Sequence, residues 1–292
     1  MDAKFHPAIA AIKSGDLEKL QALLSEDPSL ATARSSRSHP TLLQCLALDA
    51  VDVANKVEMA QVLIDAGAEI NEPLGAAACI DNVAIAALLL DRGAAINGTG
   101  SWSPLEEALY WKNQGVIDLL LARGASLHNL RIASGLGRTD LIESFFGSDA
   151  SLKPEAGKIA WPFGEPEKSN LGGNIKAELQ VKFAGWTNDP REIINNAFVY
   201  ACMHNQIEAA KLLLQRGAQI NAVPPGFDYS GSGLHYAALN GHRPMVEFLI
   251  EQGADVSVKD TKVHSTAAGW ANHGGHGELK DYLDQIARAQ TH

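Results

Sequence analysis

The sequence predicts an all-α chain, a solenoid of about eight helix-turn-helix repeats broken by one irregular insertion. The first observation behind this is a recurring segment. VLIDAGAEIN at 62–71 returns as LLLDRGAAIN at 88–97, LLLARGASL at 119–127, LLLQRGAQIN at 212–221 and FLIEQGADV at 248–256. Each is an amphipathic helix end closed by a glycine, the residue that accepts the left-handed turn at a helix C-terminus. The second is spacing: Gly67, Gly93, Gly124, Gly217 and Gly253 scatter around a period of roughly 33 residues, that of a helix pair with its connecting hairpin. A weaker copy, FFGSDASL at 145–152, puts Asp149 where the others have glycine. The third is a stretch from 153 to 190 that breaks the period and is rich in Pro, Gly and aromatic residues.

The repeats follow in order. The first, 7–33, lacks the Gly-Ala signature and carries Pro28 instead, as expected of a capping unit. The next four span 40–71, 74–97, 103–128 and 130–152, and the last three span 191–221, 232–257 and 265–287, the final one ending in polar, cap-like sequence. This divides one continuous solenoid into an N-terminal half, 1–152, the insertion, and a C-terminal half, 191–292. Inside the insertion, residues 178–183 alternate polar and apolar, which predicts a strand or hairpin. Disordered linkers are poor in aromatics, so Trp161, Phe163, Phe183 and Trp186 predict an ordered segment packed on the array.

SPLEEA at 103–108 and GLHYAA at 233–238 match a T-P-L-H-x-A opening, and on these residues the chain resembles ankyrin-repeat proteins. More narrowly it is similar to stand-alone bacterial ankyrin arrays in FFGSDASLKP (145–154), INAVPPGF (220–227) and GWANHGG (269–275). The resemblance covers nearly the whole chain. It implies a concave face lined by the first helix of each pair and by the hairpin tips, a protein-binding role, and no settled activity.

The formal charge of −10 argues against nucleic acid and anionic membranes, which need a positive surface. No apolar run reaches the roughly 18 residues a membrane helix needs. The first residues lack a signal-peptide pattern, and Cys45, Cys79 and Cys202 are odd in number and far apart, so reduced thiols in a cytoplasm are expected. Buried cysteines of this kind act as small apolar residues.

The candidate site follows from aligning the first helices. The position after the motif's His is Glu107, Tyr200, Tyr236 and Trp270, and nearby steps add Tyr110, Trp111, His204 and His273. That position normally faces the groove, so Tyr236 is expected to be exposed. Two readings stand: the rings pack between neighbouring helices, or they form a trough for a ligand, a peptide or the insertion. The finger AVPPGFDY at 222–229 adds Phe227, Asp228 and Tyr229 on a proline-stiffened tip.

Among the histidines, His235 is expected to bond neighbouring loop backbone, and His242 and His276 to hold turns. His264, His273 and His276 lack a metal-ligand spacing, so no metal or cofactor is expected. Catalytic motifs are missing, which favours a non-enzymatic scaffold that binds a protein or peptide through the concave face and hairpin tips of the C-terminal half. The alternative is a small-molecule binder or enzyme with a pocket between the insertion, including Trp161, Phe163 and Trp186, and repeats four to eight. Its acid/base groups would be Glu107, Asp228, His204 and His273.

Overall fold

The computed structural model describes residues 3–35, 40–49, 52–159 and 188–290. The predicted strand at 178–183 and the aromatics Trp161, Phe163, Phe183 and Trp186 lie outside the described residues. Those described are helical and form two compact units, Met1–Ser126 and a second that begins at Leu127 and resumes after the insertion.

The first unit holds four helix pairs: α1 (His6–Ser14) with α2 (Leu17–Glu26), α3 (Leu42–Asp49) with α4 (Lys56–Asp65), α5 (Asn71–Cys79) with α6 (Val83–Asp91), and α7 (Pro104–Trp111) with α8 (Gln114–Ala122). The second unit has α9 (Leu130–Gly135) with α10 (Thr139–Ser144), α11 (Pro190–Met203) with α12 (Ile207–Gln215), α13 (Gly233–Leu239) with α14 (Arg243–Glu251), and α15 (Ala267–His273) with α16 (Gly277–Gln290). The eight described pairs fall where the period puts them.

Local chemistry sets the ends of these short helices. Three first helices start with a reciprocal cap, in which a hydroxyl and the side chain three residues on each take the other's backbone N–H. The pairs are Thr41 with Gln44, Ser103 with Glu106, and Ser232 with His235. The second helices stop at Gly67, Gly93, Gly124, Gly217 and Gly253, all with φ between 83° and 96°. There the glycine N–H and the one after it reach back into the last turn, as in Gly93 N–H to Leu90 O and Ala94 N–H to Leu89 O. The fifth repeat departs from the expectation that Asp149 would stand at this turn. Its left-handed residue is Ala150 (φ 62°), and Asp149 instead accepts from the Ser151 N–H and hydroxyl in a local turn.

Packing then joins pair to pair. The middle residue of each recurring apolar triplet, Leu63, Leu89, Leu120, Leu213 and Leu249, is fully buried. Polar side chains at the helix-helix turns reach a carbonyl of the preceding repeat: Asn82 Nδ2 to Ala47 O at 3.0 Å, Asn113 Nδ2 to Ala78 O at 2.7 Å, and Asn240 Nδ2 to Met203 O at 3.2 Å. In the hairpins the Asn of the Ile-Asn step does the converse. Asn71, Asn97 and Asn221 accept from the N–H of Ala95, Ser126 and Asp255 in the next repeat. Exposed ion pairs Arg92–Asp65 and Arg123–Asp91, each 2.7 Å, run parallel to this ladder.

Cys45 and Cys202 are buried and Cys79 half-buried, and none forms a disulfide. Burial pushes the Cys79 thiol up to about 12 and that of Cys202 up as well, so both stay protonated at neutral pH. Among the described residues no helix is long and apolar enough to cross a membrane.

The ranking of these contacts is testable by urea denaturation. Leu213→Ala should cost about 2–5 kcal/mol, because it opens a cavity in the repeat interface. Asn113→Ala should cost about 1–2 kcal/mol by orphaning the Ala78 carbonyl. Arg123→Ala should change stability by less than about 1 kcal/mol, as exposed pairs do.

Candidate functional site

The described start of the insertion belongs to the second unit. Pro154–Ala156 forms one tight turn, Ala156 and Ile159 are buried, and Arg131 Nη1 donates to Lys158 O. Opposite Ile159 lies the finger. A Cβ on Gly226 would stand 3.1 Å from Ile159 Cγ2 and 2.6 Å from Asn196 Nδ2, and φ at Gly226 is 99°, so a side chain is excluded twice over. Asn196 Nδ2 donates to Pro225 O at 2.8 Å, pinning the second proline. The finger thus bends inward at Gly226 and drives Phe227 into the fold.

Phe227 completes a line of rings. Tyr200 of α11 and Phe227 have centroids 5.3 Å apart, Phe227 and Tyr236 of α13 5.0 Å, and Tyr236 and Trp270 of α15 5.1 Å. Each ring comes from a successive repeat, and Phe227 wedges between the first two. This corrects the expectation of an exposed Tyr236. The residue is only 7% exposed, because the Phe227 ring packs against it at a tilt and Trp270 meets it at a steep angle, while its hydroxyl donates to Tyr229 O at 2.6 Å. Tyr200, Phe227 and Trp270 are buried too. Of the two readings of the stripe, packing between neighbouring repeats describes these four rings.

The Trp270 indole leads to a residue that sequence reasoning missed. Its Nε1 donates to Asp260 Oδ2 at 3.1 Å, and the same carboxylate accepts the backbone N–H of Lys262, Val263 and Ser265 at 2.7–2.8 Å. Burial by itself raises the Asp260 pKa, but the donors, led by the Val263 N–H and the Trp270 indole, outweigh it and hold it at about 2. His235 braces the loop from behind. Nδ1 closes the cap with Ser232, and Nε2 donates to Ser265 O at 3.1 Å, as expected of the motif histidine. Burial pushes the His235 pKa down, which favours the neutral ring this double role needs. His242 likewise serves structure, its Nε2 donating to Met203 O. The signal for Asp260 was an Asp followed by polar residues in a hairpin, a pattern that marks turns in general and so did not single it out.

Outside this frame two loop tips stand in solvent. Tyr229 is 45% exposed and Val263 61%. The tips are tied together: Thr261 N–H donates to Ser230 O, Lys262 Nζ lies 3.5 Å from Asp228 and 3.8 Å above the Tyr229 ring. Of the acid/base candidates in this unit, Asp228 and His204 are half-buried and His273 is exposed.

The other predicted residues form a separate cluster in the first unit. Glu107 of α7 is buried and accepts the indole N–H of Trp102 at 2.6 Å on Oε2 and of Trp111 at 2.8 Å on Oε1. Burial pushes its pKa up to about 7, with the Glu106 charge adding to the rise and hydrogen bonds from Trp111, Trp102 and the Cys79 thiol opposing it. Tyr110 is half-buried and meets Trp102 and Trp111 edge-on, and Trp111 is 42% exposed. Trp102, just before the cap in GSWSP, also escaped sequence reasoning, because it lies outside the aligned helix. Among the described residues no three His, Cys, Asp or Glu side chains are grouped to hold a metal ion.

Residues 198–279, the stretch that contains the ring stack and the Asp260 loop, match the family model for ankyrin repeats in many copies. The helix pairs within this stretch are ankyrin repeats. Two curated proteins show partial similarity. Palmitoyltransferase ZDHHC13 of Mus musculus is 36% identical over 61 residues, 21% of this chain and 10% of that protein. Palmitoyltransferase AKR1 of Lachancea kluyveri is 25% identical over 99 residues, 32% of this chain and 13% of that protein. The chain therefore spans only a small fraction of the curated relatives it matches. Ankyrin repeats point to a role in protein-protein interaction.

Two measurements check the second unit. Phe227→Ala should cost about 3–5 kcal/mol in urea denaturation, the loss for a buried aromatic, and not the near-zero change of an exposed finger residue. Asp260 has a folded pKa below its unfolded value near 4, so its stabilisation is present above pH 4 and lost as pH falls toward 2. Asp260→Asn should be less stable than wild type by about 2 kcal/mol at pH 7, with the difference shrinking toward zero at pH 2.

Proposed function

We propose that this chain is a non-enzymatic ankyrin module that binds a protein or peptide through the hairpin tips of its second unit. The contact residues are Asp228, Tyr229, Lys262 and Val263. The observation that carries this reading is the contrast between frame and tip. A buried carboxylate with four donors and a buried ring stack hold two neighbouring loops, yet Tyr229 and Val263 stay open to water. A loop fixed in shape before contact loses little conformational entropy on binding, and exposed rings and apolar tips supply area for it.

In this reading Tyr200, Phe227, Tyr236 and Trp270 act from beneath the surface, as the floor that positions the tips. Lys262 over Tyr229 adds a cation and a ring at one point, a combination suited to a partner segment that mixes an acidic with an apolar side chain. A display library of random peptides selected on the full chain tests it. Selected peptides should lose at least tenfold in affinity on the double change Tyr229→Ser, Val263→Ser, with a melting temperature within about 2 °C of wild type. Peptides that bind the double variant as tightly as the wild type would remove the tips from the interface.

A further inference from the structure

Two indoles and a thiol converge on Glu107, and their arrangement suits only one protonation state of its carboxyl group. The two oxygens are shared out. Oε2 takes the Trp102 N–H at 2.6 Å, Oε1 takes the Trp111 N–H at 2.8 Å, and the Cys79 thiol donates as well. Each of these partners is a donor. An indole has no acceptor atom, and a thiol sulfur accepts only weakly. Such a shell fits an ionised carboxylate, which accepts on both oxygens. A protonated carboxyl carries a hydrogen on one oxygen, and that hydrogen points into a shell of donors. With Glu107 only 6% exposed, bulk water does not relieve the conflict, so one of the existing bonds opens.

The surroundings decide which bond that is. Both indoles meet Tyr110 edge-on, so this contact does not separate them. Exposure does. Trp102 precedes the cap of α7 and is half-buried, and freeing its N–H would strand a donor away from solvent. Trp111 is the last residue of α7 and is 42% exposed, so its N–H can exchange the carboxylate for water. Beyond it the helix ends at Lys112, in the left-handed region with φ 60°.

We propose that Glu107 is a proton-operated latch for Trp111, the carboxylate holding the indole and the neutral acid letting it go. One surface ring is thereby fixed in orientation on the alkaline side and freed on the acid side. The latch belongs to the first unit and does not rest on the hairpin tips. Its working range follows from the groups around it. Burial raises the Glu107 pKa and the Glu106 charge adds to the rise, while the bonds from Trp111, Trp102 and Cys79 oppose it, leaving a balance at about 7. On the helices packed against α7 the other charged groups are engaged or in solvent. Glu72 of α5 pairs with Arg34, Asp81 after α5 accepts the N–H of Gly115 and Val116, and Asp118 of α8 and Lys112 are exposed. Among the described residues no Lys, Arg or His forms an ion pair with Glu107, so no cation holds it ionised through neutral pH.

Nuclear magnetic resonance of the full chain reads both halves of the latch, with 15N in the tryptophan indoles and 13C in the glutamate carboxyl groups. Between about pH 5.5 and about pH 8.5 the Trp111 N–H signal should shift in step with the Glu107 carboxyl carbon. On the acid side its heteronuclear NOE should fall while that of Trp102 stays high. Histidines titrate in the same range, and Glu107→Gln separates the two sources: the Trp111 signal should lose its pH dependence there. Trp111→Leu removes a donor that favours the ionised form, so the Glu107 midpoint should move to higher pH, a readout that stands even if Glu107→Gln fails to fold. An invariant Trp111 signal, a titration that survives Glu107→Gln, loss of order at Trp102 instead, or an unmoved midpoint in Trp111→Leu overturns the proposal.

Discussion

A pair of helices six to fourteen residues long cannot bury its own apolar face, and the rest of this structure depends on its being covered by the next pair. Isolated helices of this length are marginal in water, so each of these survives by contact. The fully buried leucines at the centre of the recurring triplets supply the energy of that contact. The asparagine-to-carbonyl bonds between repeats supply its register, because a slip of one residue would leave a buried carbonyl without its donor. The parallel row of exposed ion pairs adds little beside either.

In the second unit the same requirement explains the unusual finger. Tyr200, Tyr236 and Trp270 occupy positions that most often look onto a groove, and three large rings left in water would forfeit the burial that stabilises the stack. Phe227, turned inward at Gly226, roofs the first two and converts the line of rings into core. The inward turn has an outward consequence, since it leaves Asp228 and Tyr229 immediately after it at the surface. Burial of one residue and display of the next are two results of a single bend. Asp260 does the same for the neighbouring loop, using charge where the finger uses shape: its buried carboxylate gathers three backbone donors and an indole, and Lys262 and Val263 are carried outside.

The first unit shows the opposite arrangement. There a carboxylate occupies the position that holds a ring in the second unit, and the rings come to it from Trp102 and Trp111 rather than from adjacent repeats. In one unit an anion organises backbone, is strongly solvated by it and stays ionised far below neutral pH. In the other an anion receives only two indoles and a thiol, and burial brings its titration to about pH 7. The number and kind of donors separate two buried carboxylates of the same formal charge.

The sequence by itself determined the helical repeat, its closing glycines and the structural work of His235 and His242, because these follow from local rules. Hydrophobic period, caps and left-handed turns act within a few residues and are written in the order of the letters. It also marked Tyr200, Tyr236, Trp270 and Glu107 as one set. Only the tertiary structure decided that the first three are core, that Phe227 packs between Tyr200 and Tyr236, that Asp260 anchors its loop, and that Trp102 joins Trp111 on Glu107. Those outcomes depend on which side chain fills the space left by another repeat, and on which donors surround a carboxylate once water is gone. Neither quantity exists until distant segments are packed, so no local pattern records it.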